Sequence, residues 1–282
     1  YKGKLIAKIE KFDAVSNIDE IIEASDGIMV ARGDLGIEVP YYDVPTIQKM
    51  LIRKSNAKGI PVITATQMLL SMTQNERATR AEISDVANAV LDGTDIVMLS
   101  EESAVGENPV NVVETMHNII SQTEKIFDHE KRYKFTYLDE FDVIQATVTK
   151  LADDLSADGI LSLTSSGNSA RKMSRYRPIT PLYTFAHDKE TLTGLTALWG
   201  VEPITTVKEA QASKMIQRML RSLEKREILN KKGLYICTVG YPVGIPGSTN
   251  TIKILTPSEI EFYLNFKENR EKIKTEKKVN LA

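Results

Sequence analysis

Four apolar runs in this chain end in side chains able to do chemistry. The first is Leu5-Ile6-Ala7-Lys8-Ile9-Glu10. Strand alternation puts Lys8 and Glu10 on one side of it and Ile9 on the other. A lysine and a carboxylate so placed are either a surface ion pair or a catalytic cation beside a metal ligand. The second run is Gly27-Ile28-Met29-Val30-Ala31-Arg32-Gly33-Asp34-Leu35-Gly36, a buried strand that runs into a polar turn with an arginine, two glycines and an aspartate. The glycines let a ligand approach the backbone closely. The plainer reading is a strand-to-helix turn with Asp34 as its N-cap. The third run, Ile60 to Ala65, ends in Thr66 and Gln67; the fourth, Ile96 to Leu99, ends in Ser100 and Glu102. In α/β folds ligands bind at the carboxyl ends of parallel strands, and in parallel barrels active sites sit there.

The elements that must position these groups are legible in the spacing. Ile18, Ile21 and Ile22 predict a helix, with Asn17 and Glu20 spaced as a capping box. Val44, Ile47, Met50 and Leu51 predict the inner face of a second helix over 44–57, closed by Gly59. Ile83, Val86, Ala87, Val90 and Leu91 predict one face of a third, closed by Gly93. Asn108-Pro109 opens a long helix to about Phe127. Residues 5–127 therefore read strand then helix four times, and the strands are near-continuously apolar, as buried parallel strands are. Right-handed crossovers bring all four strand ends to one side of the sheet. That argues for one site assembled from successive strand-to-helix loops. Four strands do not close a (β/α)₈ barrel. The expectation is therefore an open sheet or, given how abruptly the first strand begins, half a barrel.

A charged linker over 128–138 leads to a second α/β unit. Its predicted strands are 159–164, 182–185, 201–205, 234–239 and 251–255, and its predicted helices are 141–155, near 189–198 and 208–224. Thr164-Ser165-Ser166-Gly167-Asn168-Ser169 is a hydroxyl-rich loop at a helix N-terminus, which suits an anion or simple capping by Asn168 or Ser169. The Gly/Pro-rich stretch 240–250 either approaches that loop or forms a plain hairpin. From Ser258 the chain reads as a charged tail.

Bulk properties exclude several classes. With 36 Lys+Arg against 38 Asp+Glu and a net charge of −2, there is no electrostatic footprint for nucleic acid or an anionic membrane. No apolar run approaches the length of a membrane span, and residues 1–5 do not read as a signal peptide. The single cysteine, Cys237, excludes an intrachain disulfide, suggests a reducing compartment and sits in an apolar strand pattern. The three histidines are scattered and form no metal-ligand pattern.

Ala7-Lys8-Ile9-Glu10, Val30-Ala31-Arg32-Gly33-Asp34-Leu35-Gly36, Ala65-Thr66-Gln67-Met68-Leu69, Thr79-Arg80-Ala81-Glu82 and Met98-Leu99-Ser100-Glu101-Glu102-Ser103-Ala104 together, in order and spacing, closely resemble the pyruvate kinases. The resemblance extends to about Thr256. It implies the second half of the catalytic (β/α)₈ TIM barrel (strands five to eight) over 1–127, then a linker over 128–138. A separate three-layer α/β regulatory domain over 139–257 and a charged tail over 258–282 follow. Barrel strands one to four and a lid domain find no match here, so the resemblance implies a fragment inactive by itself.

By the same resemblance the parent reaction moves the phosphoryl group of phosphoenolpyruvate to ADP, giving pyruvate and ATP, the last step of glycolysis in the cytoplasm. Lys8 would neutralise charge on the phosphoryl group and the enolate oxygen. Glu10 and Asp34 would hold Mg²⁺ (or Mn²⁺), and K⁺ is expected in the complete enzyme. Backbone N–H groups of Gly33 and Asp34 would bind the substrate carboxylate. Thr66 would bind it too and help the proton relay, with Ser100 as a second member. Arg32 and Arg80 would be subunit contacts in a homotetramer. Thr164 to Ser169 with Gly247 would bind an allosteric sugar phosphate or nucleotide. Ser165 and Asn168 stand where fructose-bisphosphate-responsive members carry basic residues, which points to a monophosphate effector or none. Two alternatives stand beside this reading. One is a Mg²⁺-dependent lyase or aldolase acting on pyruvate or phosphoenolpyruvate, and the other is a non-catalytic binding or oligomerisation fragment.

Overall fold

The computed structural model describes residues 3–129, 134–209, 211–240 and 249–265. It divides into two compact units, Tyr1–Thr136 with Ala197–Trp199 and Tyr137–Thr196 with Gly200–Ala282. The division at 136/137 falls inside the stretch 128–138 read as a linker.

In the first unit β1 (Ile6–Ile9) is followed by α1 (Phe12–Ser16) and α2 (Ile18–Ala24), then β2 (Gly27–Ala31), α3 (Arg32–Glu38) and α4 (Val44–Lys58). Next come β3 (Val62–Ala65), α5 (Arg80–Asp92), β4 (Ile96–Val97), α6 (Glu101–Ala104) and α7 (Pro109–Glu124). The four strands form one sheet in the order β1-β2-β3-β4, every pair parallel. The predicted strand-then-helix alternation thus produces a sheet in sequence order with all carboxyl ends on one edge. Ile28, Val30 and Val62 are fully buried with Leu51 and Ile52 of α4, and Met68, Leu69, Val86, Ala89 and Val112 form a second cluster. Gly59 (φ 70°) and Gly93 (φ 95°) end α4 and α5 in the left-handed conformation expected of helix-stopping glycines.

Some local expectations differ. Asn17 does not cap α2: its amide turns back to the Asp13 carbonyl at 2.9 Å, and α1 fills the segment ahead of it. Of the face predicted for α5, Val86 and Val90 are buried and are joined by Ala89, whereas Ile83 and Leu91 are exposed. On α4, Gln48, Ser55 and Asn56 join Leu51 and Ile52 in the interior, and for Gln48 and Asn56 a hydrogen-bond partner that an apolar pattern does not anticipate accounts for it. Asn56 donates to the Gly93 carbonyl at 2.8 Å and Gln48 to Asp92 at 3.1 Å.

The second unit contains α8 (Glu140–Asp154), β5 (Gly159–Thr164), α9 (Asn168–Ser174), β6 (Leu182–Ala186), α10 (Lys189–Gly194) and β7 (Val201–Thr206). It continues through α11 (Ala212–Lys225), β8 (Tyr235–Gly240), β9 (Thr249–Leu255) and α12 (Pro257–Leu264). The sheet order is β7-β6-β5-β8-β9, parallel except for antiparallel β8–β9. Neighbouring residues serve opposite faces: Leu161 and Cys237 pack with Met215, Met219 and Leu223, whereas Ile160 and Ile236 pack with Val148, Ala152 and Met173. Alternation of this kind makes three layers, helices on both sides of the sheet. Across α8 and α9 the fully buried Asp142 carboxylate pairs with Arg175 and accepts from the Tyr176 hydroxyl at 2.9 Å.

Residues 257–264 are not a solvated tail. Thr256 and Glu259 form a capping box, Pro257 occupies the first turn, and Ile260 is fully buried in the core. The signature Thr-Pro-Ser-Glu ahead of an isoleucine is a helix start, and charge content alone obscures it. Residues 266–282 of the expected tail lie outside the described residues. Thr256→Ala is expected to lower the unfolding free energy by about 1 kcal/mol in a denaturant titration; an unchanged midpoint would show that α12 contributes nothing to the unit.

Candidate functional site

The carboxyl edge of the first sheet brings several of the singled-out residues together. Lys8 lies on β1 and Glu10 just beyond it, while Ile9 between them is buried, as alternation demands. Asp34 does not sit in a turn. The chain passes from β2 straight into α3, and Asp34 occupies its first turn, where the helix dipole favours a carboxylate. The glycines suggested a turn, but Leu35, fully buried, fixes the segment as a helix against the rest of the unit.

The Lys8 ammonium donates to Asp34 Oδ2 at 2.7 Å and pairs as well with Glu10 Oε2. All three side chains keep a third or more of their surface open to solvent. Hydrogen bonding to Asp34, then to Glu10, raises the lysine pKa to about 12. The Lys8 hydrogen bond in turn lowers the Asp34 pKa. The ammonium therefore stays a cation at neutral pH, held between two carboxylate side chains.

Thr66 closes the next edge. Its Oγ1 accepts from the Gly33 N–H at 2.9 Å and donates to the Ala65 carbonyl at 2.6 Å. Its φ is 69° and that of Gln67 is 53°, a left-handed conformation costly for a β-branched residue. A methyl group added at Gly33 would lie 3.6 Å from Thr66 Oγ1, in ordinary contact with that side chain. Ser100 lies three residues beyond β4, immediately before α6. Its N–H donates to Glu102 Oε2 at 2.7 Å, and its hydroxyl makes no hydrogen bond among the described residues. No described hydrogen bond joins Ser100 to Thr66 or Lys8.

Of two further acids here, Glu102 is legible in the sequence as a strand-end group and Asp85 is not legible at all. Glu102, 1% exposed, receives the Leu69 N–H at 3.1 Å as well as that of Ser100, and so ties the ends of β3 and β4 together. The spacing Ser100/Glu102 marks it as a strand-end group but carries no sign that it points inward. Asp85, on α5, pairs with Arg32 at 2.7 Å. Arg80 is exposed at the start of the same helix.

In the second unit, Thr164 Oγ1 accepts from the Gly167 N–H at 2.9 Å, and Gly167 takes φ 84° at the head of α9. Neither Asn168 nor Ser169 caps the helix: the residue before it is Gly167, with no side-chain capping bond. Ser169 Oγ instead lies 3.0 Å from Thr249 Oγ1, so the start of β9 does approach this loop. Strands β8 and β9 pair antiparallel, and Gly247, with the rest of 241–248 between them, lies outside the described residues.

Fold and site together define an α/β protein with a charged site at the carboxyl edge of a parallel half-barrel sheet, followed by a three-layer unit. A family model described as "Pyruvate kinase, barrel domain" matches residues 2–113, and "Pyruvate kinase, alpha/beta domain" matches residues 142–255. A pyruvate kinase of Lactobacillus delbrueckii subsp. bulgaricus is 43% identical over 257 residues, covering 89% of this chain and 44% of its own length. One of Clostridium acetobutylicum is 42% identical over 255 residues, covering 89% and 54%. A crystal structure of a pyruvate kinase from Cryptosporidium parvum superposes with a TM-score of 0.83 at 37% identity, covering 90% of this chain and 51% of that one. The chain belongs to the pyruvate kinase family. It spans about half the length of the curated relatives it matches. No helix among the described residues is long and apolar enough to cross a membrane.

Proposed function

We propose that this chain supplies the metal- and substrate-binding half of a site that transfers the phosphoryl group of phosphoenolpyruvate to ADP. The observation that carries the reading is the Lys8 ammonium held between Glu10 and Asp34, beside the Gly33–Thr66 pair. Phosphoryl transfer requires positioning and charge neutralisation rather than covalent participation by the protein. Lys8 offers a cation to the phosphoryl oxygens and then to the enolate oxygen left when the P–O bond breaks. Its raised pKa keeps it charged throughout neutral pH. Gly33 N–H now faces Thr66 Oγ1; a substrate carboxylate arriving there would take the hydroxyl's place as acceptor. Thr66 O–H, released from the Ala65 carbonyl, could then donate to that carboxylate and join the relay that protonates the enolate, with Ser100 a further member.

Glu10 and Asp34 fit a Mg²⁺ ion. Both are oxygen donors, both lie against a cation already, and two carboxylates suit an ion that keeps positions for substrate and water. The bound metal would neutralise phosphoryl charge and polarise the enolate oxygen. K⁺, a homotetramer with Arg80 at a contact, and a phosphate-bearing effector near Thr164–Ser169 and Thr249 complete the proposal. It places the protein in the cytoplasm.

The test is pyruvate formation by the native gene product from phosphoenolpyruvate with Mg²⁺. ADP-dependent release supports the proposal. Release without ADP would replace it with a lyase or aldolase, and none at all would leave a binding fragment.

Gly33 gives a sharper check. Gly33→Ala meets Thr66 only at ordinary contact distance, and alanine suits α3 better by about 0.5–1 kcal/mol. The variant should fold at least as stably as wild type. Its KM for phosphoenolpyruvate should rise about tenfold or more, because the added methyl occupies the carboxylate's approach. An unaltered KM would remove Gly33 from the substrate site.

A further inference from the structure

Arg32 makes no described hydrogen bond to Lys8, Glu10, Asp34 or the Thr66 hydroxyl, yet its side chain is only 12% exposed and every one of its five N–H donors has an acceptor. Nε donates to the Ala65 carbonyl at 3.2 Å, and Nη2 to the Thr66 carbonyl at 2.7 Å and to Met68 Sδ at 2.8 Å. Nη1 reaches Asp85 at 2.7 Å and Gln48 Oε1 at 3.4 Å.

The two carbonyls matter most. Ala65 C=O belongs to the peptide plane before the Thr66 Cα, and Thr66 C=O to the plane after it. The φ and ψ of Thr66 are the rotations between those two planes. One rigid guanidinium fork bonded to both planes therefore fixes both rotations. They are fixed at φ 69°, where a threonine does not stay unaided. Asp85 anchors the outer edge of the guanidinium and Gln48, itself buried, flanks it.

We infer that Arg32 is a positioning residue that clamps the left-handed turn at Thr66 and so sets the Thr66 hydroxyl against the Gly33 N–H. The inference builds on the assignment of Thr66 to the substrate site. It differs from the subunit-contact role suggested by resemblance, because the donors of Arg32 all find partners within its own unit. Lysine cannot reproduce the clamp: its ammonium is a point charge with no planar fork.

The test uses the native gene product in two measurements. In the first, amide hydrogen exchange is compared between wild type and Arg32→Lys without substrate. Exchange at Gly33, Gln67 and Met68 is expected to quicken about tenfold or more, with the core amides of Leu51 and Ile52 unchanged. In the second, Arg32→Lys is expected to lower kcat/KM for pyruvate formation about 100-fold. In a Thr66→Ala background the same change should cost no more than about twofold, since both act through one hydroxyl. Effects that multiply, or an exchange pattern unmoved by Arg32→Lys, overturn the inference. Altered exchange in a protein whose wild type makes no pyruvate would instead overturn the proposed reaction and leave the clamp standing. Should Arg32→Lys fail to fold, Asp85→Asn loosens only the outer edge of the guanidinium and should show the same pattern at smaller amplitude; no change at Gly33 and Gln67 there would equally overturn the inference.

Discussion

Replacing Lys8 with alanine is expected to lower turnover of phosphoenolpyruvate and ADP by about 10²–10³-fold, while divalent-metal affinity is kept or rises. The first half follows from the position of the ammonium. It is the cation at the meeting point of β1 and α3, and removing one preorganised electrostatic partner of a transition state costs that much. The second half follows from what remains. Glu10 and Asp34 would face each other without their shared counter-charge, and like charges at close range favour any cation that neutralises them. Turnover and Mn²⁺ binding, the latter by electron paramagnetic resonance, measure the two halves separately. Parallel loss of both would mean that Lys8 holds the site's structure, and unchanged kinetics would remove it from the chemistry.

The pH behaviour is constrained in the same way. The pKa of Lys8 stands at about 12, above the ordinary 10.5, through its hydrogen bonds to Asp34 and Glu10. A raised pKa means that whatever the pair contributes to the fold is complete below the ordinary value and fades as pH climbs through the higher one. Lys8 therefore stays protonated at neutral pH, and it cannot serve there as a base that gives up its proton to start the reaction.

How much of this was readable from the chain depends on which forces decide each element. The four strand-and-helix repeats are set by apolar periodicity and by glycines such as Gly59 and Gly93, which act locally. The polar ends Lys8/Glu10, Arg32/Asp34, Thr66/Gln67 and Ser100/Glu102 were visible as a set because parallel topology alone places them on one edge. The conformation of Arg32–Glu38 was not visible. Two glycines argue locally for a turn, and only the burial of Leu35 and the bonds of Arg32 make the segment a helix. Nor does any propensity place a threonine at positive φ; the strain at Thr66 is sustained by a side chain 34 positions earlier. The burial of Glu102 and of Gln48 was missed for a related reason: each is a polar residue buried because a distant backbone or side-chain group needs it. The start of α12 is a different case, since the Thr256–Glu259 capping box was present in the sequence and the neighbouring charge hid it.

Asp34→Asn is expected to do the reverse of Lys8→Ala at the metal. The substitution keeps the side chain's size and most of its hydrogen-bonding capacity, but it leaves Glu10 as the one carboxylate of the pair. Divalent-metal affinity should fall about 10–100-fold, the range seen when a metal site loses a single supporting interaction. Turnover should fall with it at low metal and recover in part as Mg²⁺ is raised. Loss of the carboxylate also removes the first and largest cause of the raised Lys8 pKa, which should drop back toward 10.5. The fold should be little affected, because the charge in the first turn of α3 is worth only about 0.3–1 kcal/mol. The two variants therefore separate two accounts of one cluster. If Lys8, Glu10 and Asp34 were merely a solvated ion-pair network, each replacement would be nearly silent, as exposed ion pairs usually are. If they form a site in which the lysine handles the transferred charge and the carboxylates hold the metal, Lys8→Ala lowers turnover with metal binding intact, and Asp34→Asn lowers metal binding with turnover recoverable. Metal titrations of Asp34→Asn that overlay those of the wild type would refute the carboxylate half of that account.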